Sequence, residues 1–371
     1  MERAVLMRAA RAGLTLLELL VVTVVLALVG LMLMPLLAPR RGGARHIKDG
    51  TQVRAVHQSM VLFANNSRDV YPVPSEMDAA NTTLSDGSAK DDLGNVLSVL
   101  IYDGYVVPEL MVSPAEQSTL IDVQSSYALS DPPAAVNTGS GAGKHARWDP
   151  AFRGSPAEQV VQGGTKPLGA LAPEANVTAH TSYAMMPFFA ARREAWGLNW
   201  RLDQAVIGNR GPMYEVVGRE DKAKTRLLDT GSQQSTAFVS VGGKGTNSTT
   251  LGIHGNRKTW EGNIGFNDNH VEFVTEADPP MSVWTFSGLT PASARERRDN
   301  LFVAEDDATV TKRDGTMHAQ IGTMQVPEGW GPAAAEGEVN ALGMSNNWLR
   351  TWTVSAVSER GKTTAITVVV D

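Results

Sequence analysis

Apolar residues are spread along the chain in three distinct ways. The first is an almost unbroken run from Leu14 to Ala38, 25 residues carrying one charge, Glu18, and two threonines, Thr15 and Thr23. At about 1.5 Å per residue a helix of this length reaches roughly 37 Å, enough to cross a hydrocarbon layer about 30 Å thick. Pro35 and Pro39 should kink or end that helix, and Gly42-Gly43 should loosen it further. The second is a helical period. From Ala44 onward Ile47, Val53, Val56, Met60 and Phe63 recur on one side of an amphipathic continuation, which Asn65-Asn66-Ser67 and Tyr71-Pro72-Val73-Pro74 end. Leu93, Val96, Leu97, Leu100 and Ile101 repeat at i, i+3, i+4, i+7 and i+8 and predict a second amphipathic helix. Asp91-Asp92 suits its positive end and Gly104 closes it.

The third is a series of short β-like runs punctuated by turns. Ser182–Phe189, Met213–Val217, Thr236–Val241, Asn263–Val274 and Met281–Phe286 read as strands of an antiparallel sheet. Trp348–Val357 and Thr363–Val370 form the clearest hairpin, around Ser358-Glu359-Arg360-Gly361-Lys362. Residues 130–180 are rich in Gly, Ser, Ala and Pro, but Trp148 and Phe152 interrupt them, so they read as loops wrapped on a domain. No internal repeat is evident. The class expected is α+β, with helices packed on an antiparallel sheet and large loop insertions.

Composition narrows the function classes. The chain has 371 residues, 42% hydrophobic and 19% charged, which excludes disorder throughout. Lys and Arg total 33 against 39 Asp and Glu, and the net charge of -6 argues against a protein built to grip nucleic acid. With no cysteine there is no disulfide, thiolate nucleophile or Cys-based metal site.

The N-terminus carries Arg3, Arg8 and Arg11 against Glu2, the basic start of an export signal. The apolar run that follows is too long for an ordinary cleaved signal, whose core is about 7–15 residues. A plain membrane anchor tolerates the length, yet a carboxylate five residues into it is costly unless neutralised. Ala12-Gly13-Leu14-Thr15-Leu16-Leu17-Glu18-Leu19-Leu20 resembles the cleavage and methylation signal of type IV prepilins. The resemblance implies that a prepilin peptidase cuts after Gly13 and methylates Leu14, which stands where the family usually has phenylalanine. It also implies that Glu18 pairs with the amino terminus of a neighbouring subunit and sets the assembly register. Removing 13 residues leaves 358, and the loss of three arginines and one glutamate moves the net charge from -6 to -8. Arg40, Arg41, Arg45 and Lys48 follow the run, so the positive-inside rule alone leaves the topology open.

Further segments are similar to those of large prepilin-like proteins of planctomycete type. These are Lys48–Arg54, Asn66–Pro72, Gly104–Leu110 with Ser113-Pro114, Ser182–Met185 and Gly265–Phe273. The resemblance implies a leader at 1–13, a transmembrane and assembly helix at 14–38, and a pilin-like extracytoplasmic head at 39–371. The implied function is a major or minor subunit of a type IV pilus or type II secretion-like pseudopilus, not an enzyme. Its partners would be copies of itself, the prepilin peptidase, the assembly machinery and the inner membrane, with no nucleic acid. The precursor would sit in the inner membrane as a single-pass protein, and the assembled filament in the periplasm or at the cell surface. The rival reading is a monomeric, membrane-tethered envelope binding module or hydrolase that uses the prepilin signal for sorting.

Candidate chemistry elsewhere is sparse. Gly139-Ser140-Gly141-Ala142-Gly143-Lys144 has the wrong first-glycine spacing for a phosphate loop, and His145 stands where a Ser or Thr would hold magnesium. His254, Asp268 and His270 are candidate metal ligands or an acid–base cluster, with satisfied turn and strand residues as the alternative. Asp91, Asp92 and Asn95, or Asp268 and Asn269, offer oxygens suited to calcium but lack the EF-hand spacing. No cofactor is otherwise expected. No Gly-x-Ser-x-Gly elbow accompanies the seven histidines.

Overall fold

The computed structural model describes residues 15–37, 41–87, 89–136, 145–156, 178–217, 224–228, 245–255, 258–285, 296–303, 346–357 and 363–369. The chain separates into two compact units, Met1–Ala44 and Arg45–Asp371. In the first, helix α1 spans Leu16–Leu37, so it passes through Pro35. Its side chains are described from Leu16 to Val29, and every large aliphatic among them is 47–83% exposed. That stretch accounts for about 21 Å of helix. Among the described residues no helix is long and apolar enough to cross a membrane.

Helix α2, Arg41–Asn65, contains Gly42 and Gly43 in its first turn, where backbone amides lack helical partners in any case. The glycines therefore do not break it. Within the second unit α2 buries Val53, Val56, Met60 and Phe63, as the apolar period predicts. Ile47 is a correction, because it is 72% exposed. Six residues at about 100° each turn it roughly 120° away from Val53. The buried stripe instead includes Asp49, Gln52 and His57, and its lower end is polar.

α2 lies on a four-stranded antiparallel sheet. In chain order β1 is Tyr183–Met185, β2 Ala205–Asn209, β3 Tyr214–Val217, β4 Lys224–Leu227, β5 Gly262–Phe266 and β6 Val271–Val274. The strand order of the sheet is β1-β2-β5-β6. Helix and sheet approach closely because neither side carries a Cβ at two crossing points. A methyl on Gly50 would stand 2.9 Å from Asn263 Oδ1, and one on Gly265 3.2 Å from Val53 Cγ1. The chain is then completed by β7 Val283–Thr285, β8 Glu296–Arg298, β9 Thr351–Val357 and β10 Thr363–Val369. β3–β4, β7–β8 and β9–β10 are separate antiparallel ribbons, the last being the hairpin expected at the tail. Backbone bonds between Met185 and Arg350 tie the free side of β1 to the approach of β9. The expected run Asn263–Val274 is two strands, β5 and β6, because Asn267–His270 turns between them with Asn269 at φ 69°. The expected strand Thr236–Val241 lies outside the described residues.

Two short α-helices belong to the second unit, α3 Pro74–Met77 and α4 Leu93–Tyr102. α4 is not amphipathic: every residue from Leu93 to Ile101 is buried. Its polar residues are satisfied inside the core, Asn95 Oδ1 accepting from Trp148 Nε1 at 2.9 Å and Ser98 Oγ donating to the Asp149 carbonyl at 2.8 Å. Gly104 closes it in the left-handed conformation, φ 76°. Five tryptophans, Trp148, Trp196, Trp260, Trp348 and Trp352, are fully buried around this core.

Candidate functional site

Gly13 and Leu14, the expected cleavage and methylation residues, lie outside the described residues. Glu18 does not, and its surroundings follow from the four residues Thr15-Leu16-Leu17-Glu18. The first amides of a helix have no internal partner, and a Thr followed three residues later by Glu satisfies two of them reciprocally. Here Glu18 N–H donates to Thr15 Oγ1 at 3.3 Å, while Glu18 Oε2 accepts from Thr15 N at 2.9 Å and Thr15 Oγ1 at 3.0 Å. Its carboxylate is thus held at the helix entrance, beside the positive end of the dipole.

The second set of placed polar groups is the buried contact between α2 and the sheet. Asp49 is fully buried. Its Oδ1 accepts from the Tyr183 hydroxyl at 3.1 Å, with Gln52 Oε1 3.4 Å from the same hydroxyl. Its Oδ2 accepts from Asn263 Nδ2 at 2.6 Å and faces His254 Nε2 at 2.9 Å. Burial opposes ionisation of Asp49, but hydrogen bonds from His254, Ser113 and Asn263 outweigh it and hold the carboxyl below its ordinary range. Burial, reinforced by Asp49, pushes the Tyr183 hydroxyl up, so it remains a donor. His46 flanks the pair, its ring 3.6 Å from Phe273 and 5.7 Å from His254 between centroids.

Two turns further along α2, His57 is also fully buried, with Nδ1 3.1 Å from Asn269 Oδ1 and Nε2 3.2 Å from the Tyr71 hydroxyl. Burial holds its imidazole below its ordinary range. The neutral ring donates from Nδ1 to the amide oxygen and accepts at Nε2. Asn267 Oδ1 then accepts from the backbone N–H groups of Asn199 and Trp200, which fixes the adjacent loop.

The three residues weighed as a metal or acid–base cluster go to two different pairs. His254 serves Asp49, whereas Asp268 accepts from His270 through both its backbone N–H and its ring Nδ1. Among the described residues no group of three or more His, Asp or Glu is placed to hold a metal ion. The carboxylates weighed for calcium are turned to their own chain. Asp91 accepts from Ser75 N and Oγ, each at 2.8 Å, and Asp92 accepts from Val354 N.

No protein-family model, curated protein or solved structure matches the chain. The side chains of Asp49 and His254 are 0% and 5% exposed, which suits a clamp between helix and sheet. Asp49 and His57 are not among the candidates that the sequence singles out. Their signal was nevertheless present in the sequence, as polar residues recurring with Gln52 on the apolar period of Val53, Val56 and Met60.

Proposed function

We propose that the chain is a structural filament subunit of the type IV pilus or type II pseudopilus kind, a pilin-like helix carrying an α+β head, made as a precursor and cut after Gly13. The observation that carries this reading is α1. Its eleven large aliphatic residues from Leu16 to Val29 point outward on all sides and remain about half exposed or more. Burying them against lipid or neighbouring helices gains on the order of 10 kcal/mol, at roughly 1 kcal/mol or more each. A helix of this kind needs an apolar environment all round, which a bilayer supplies to the precursor and a bundle of like helices supplies to the filament. The Asp49 and His57 contacts support the mechanical side of the reading, since they fix the head to the helix that would bear the load.

Glu18 has two roles under this proposal. Within its own chain it caps α1, and between chains its charge registers neighbours. Glu18→Gln keeps the cap, because glutamine serves equally at that position, but removes the charge. Glu18→Ala removes both. Mass spectrometry of the N-terminus in envelope and sheared surface fractions tests processing: a methylated Leu14 in the sheared fraction is expected. Retention of Met1 would overturn the proposal.

A further inference from the structure

The outward side of α2 differs in charge from the rest of the chain. Asp49 is the only acidic residue of α2 and is fully buried, so no carboxylate of this helix faces solvent. Arg45, Ile47, Lys48, Thr51 and Arg54 are all exposed. None of the three cations has an ion-pair partner among the described residues. Ile47, at 72% exposure, is an apolar side chain left out among them. From Ala38 to Lys48 the sequence holds Arg40, Arg41, Arg45 and Lys48 and no acid, in a chain whose net charge is -6. This basic segment begins directly after the apolar run.

We infer that the first turns of α2 in the head form a contact surface for anionic phospholipid headgroups, with Arg45 and Lys48 binding phosphate and Ile47, on the same turn, entering the interface. The inference rests on the proposed membrane span. Basic residues next to a span are drawn to an anionic leaflet, each contributing roughly fivefold in partitioning close to the surface. An aliphatic side chain on the same turn adds buried apolar area. The overall acidity of the chain opposes any general attraction to such a surface, so the attachment has to be local. It would hold the lower end of the head against the bilayer until the subunit is drawn into a filament.

The chain lacks cysteine, so single-cysteine variants label at one place. Full-length Thr51→Cys and Val25→Cys, each carrying an environment-sensitive fluorophore, are reconstituted in vesicles of phosphatidylcholine alone or mixed equally with phosphatidylglycerol. The expected result is a Thr51 probe that shifts to the blue only in the anionic vesicles. The shift should reverse in about 1 M salt, where screening shortens to about 3 Å. The partitioning that it reports should fall roughly 25-fold when Arg45→Gln and Lys48→Gln are combined. The Val25 probe should report lipid in every case. A Thr51 probe indifferent to lipid charge, with Val25 in lipid, overturns the headgroup contact and leaves the span standing. A shift that follows protein density in both lipids assigns the face to a second copy of the chain and also overturns it. A Val25 probe in water overturns the span itself, and this inference with it.

Discussion

Replacement of Asp49 probes the clamp between helix and sheet most directly. Asp49→Ala removes the acceptor from the Tyr183 hydroxyl, Asn263 Nδ2 and His254 Nε2, all of them buried. Each of the three stranded donors costs about 1–3 kcal/mol. With partial relaxation the expected loss is roughly 4 kcal/mol. Asp49→Asn should be far milder. Turned so that its oxygen occupies the Oδ2 position, the amide still accepts from Asn263 and His254, and its NH2 donates to the Tyr183 oxygen. Only the difference between charge-assisted and neutral bonds is lost, about 1–1.5 kcal/mol. Urea unfolding of the solubilised chain, followed by fluorescence of the five buried tryptophans, reads both. At about 3 kcal/mol per molar urea, the midpoint should fall by more than about 1 M for alanine and by less than about 0.5 M for asparagine. Equal shifts for the two variants, or shifts below about 0.2 M for both, would refute the hydrogen-bond reasoning.

Acid should weaken the head through its buried imidazoles. His180 Nδ1 accepts the Arg153 N–H at 2.9 Å, and burial together with the Arg153 charge pushes its pKa down to about 4. The unfolded chain takes up this proton near pH 6.5 and the folded chain only near 4, so this stability is complete above about pH 6.5 and is lost as the pH falls toward 4. His57 acts with the same sign. Asp299 acts oppositely: burial pushes it up to about 7, so it favours the fold as pH falls from there toward the ordinary carboxylate range. Urea midpoints between pH 7 and 4 should therefore decline less steeply in His180→Gln than in the parent, and parallel slopes would contradict the assignment. Gly50→Ala should cost about 1–3 kcal/mol by pressing on Asn263, whereas Gly43→Ala, with nothing within 4 Å, should be neutral or gain up to about 1 kcal/mol. Thermal melts separate the two. Glu18→Gln should be processed and should keep α1 capped while impairing assembly, as read from sheared filament yield; normal filaments would remove the charge from the register.

The elements read best from sequence were those whose cause is local. α1 follows from one uninterrupted apolar run, and the β9–β10 hairpin from β-branched residues either side of a polar turn. β2 was not legible, because Ala-Val-Ile-Gly-Asn has no alternation and is buried along its whole length. The period of Leu93, Val96, Leu97, Leu100 and Ile101 predicts an amphipathic α4, and only the positions of Trp148 and Asp149 show Asn95 and Ser98 to be core residues. The same limit hid the partners of the clamp. Asp49 meets His254 across 205 positions and His57 meets Asn269 across 212, distances at which no local pattern carries information. Glu18 was legible as an unusual charge, and its Thr15 partner was visible three residues earlier.

The attachment of β9 to the start of α4 has a consequence for the order of events in making the molecule. Trp352 donates to the Asp91 carbonyl and Val354 to the Asp92 carboxylate, across 261 and 262 positions. At about 5–20 residues per second, the ribosome delivers the second partner roughly 13–50 s after the first. Closing so long a loop is entropically expensive, and long-range pairings of this kind fold slowly. Through that interval α4, a helix with no solvent-facing side, lacks part of its cover. The cover of α4 is therefore completed only once the end of the chain has been made.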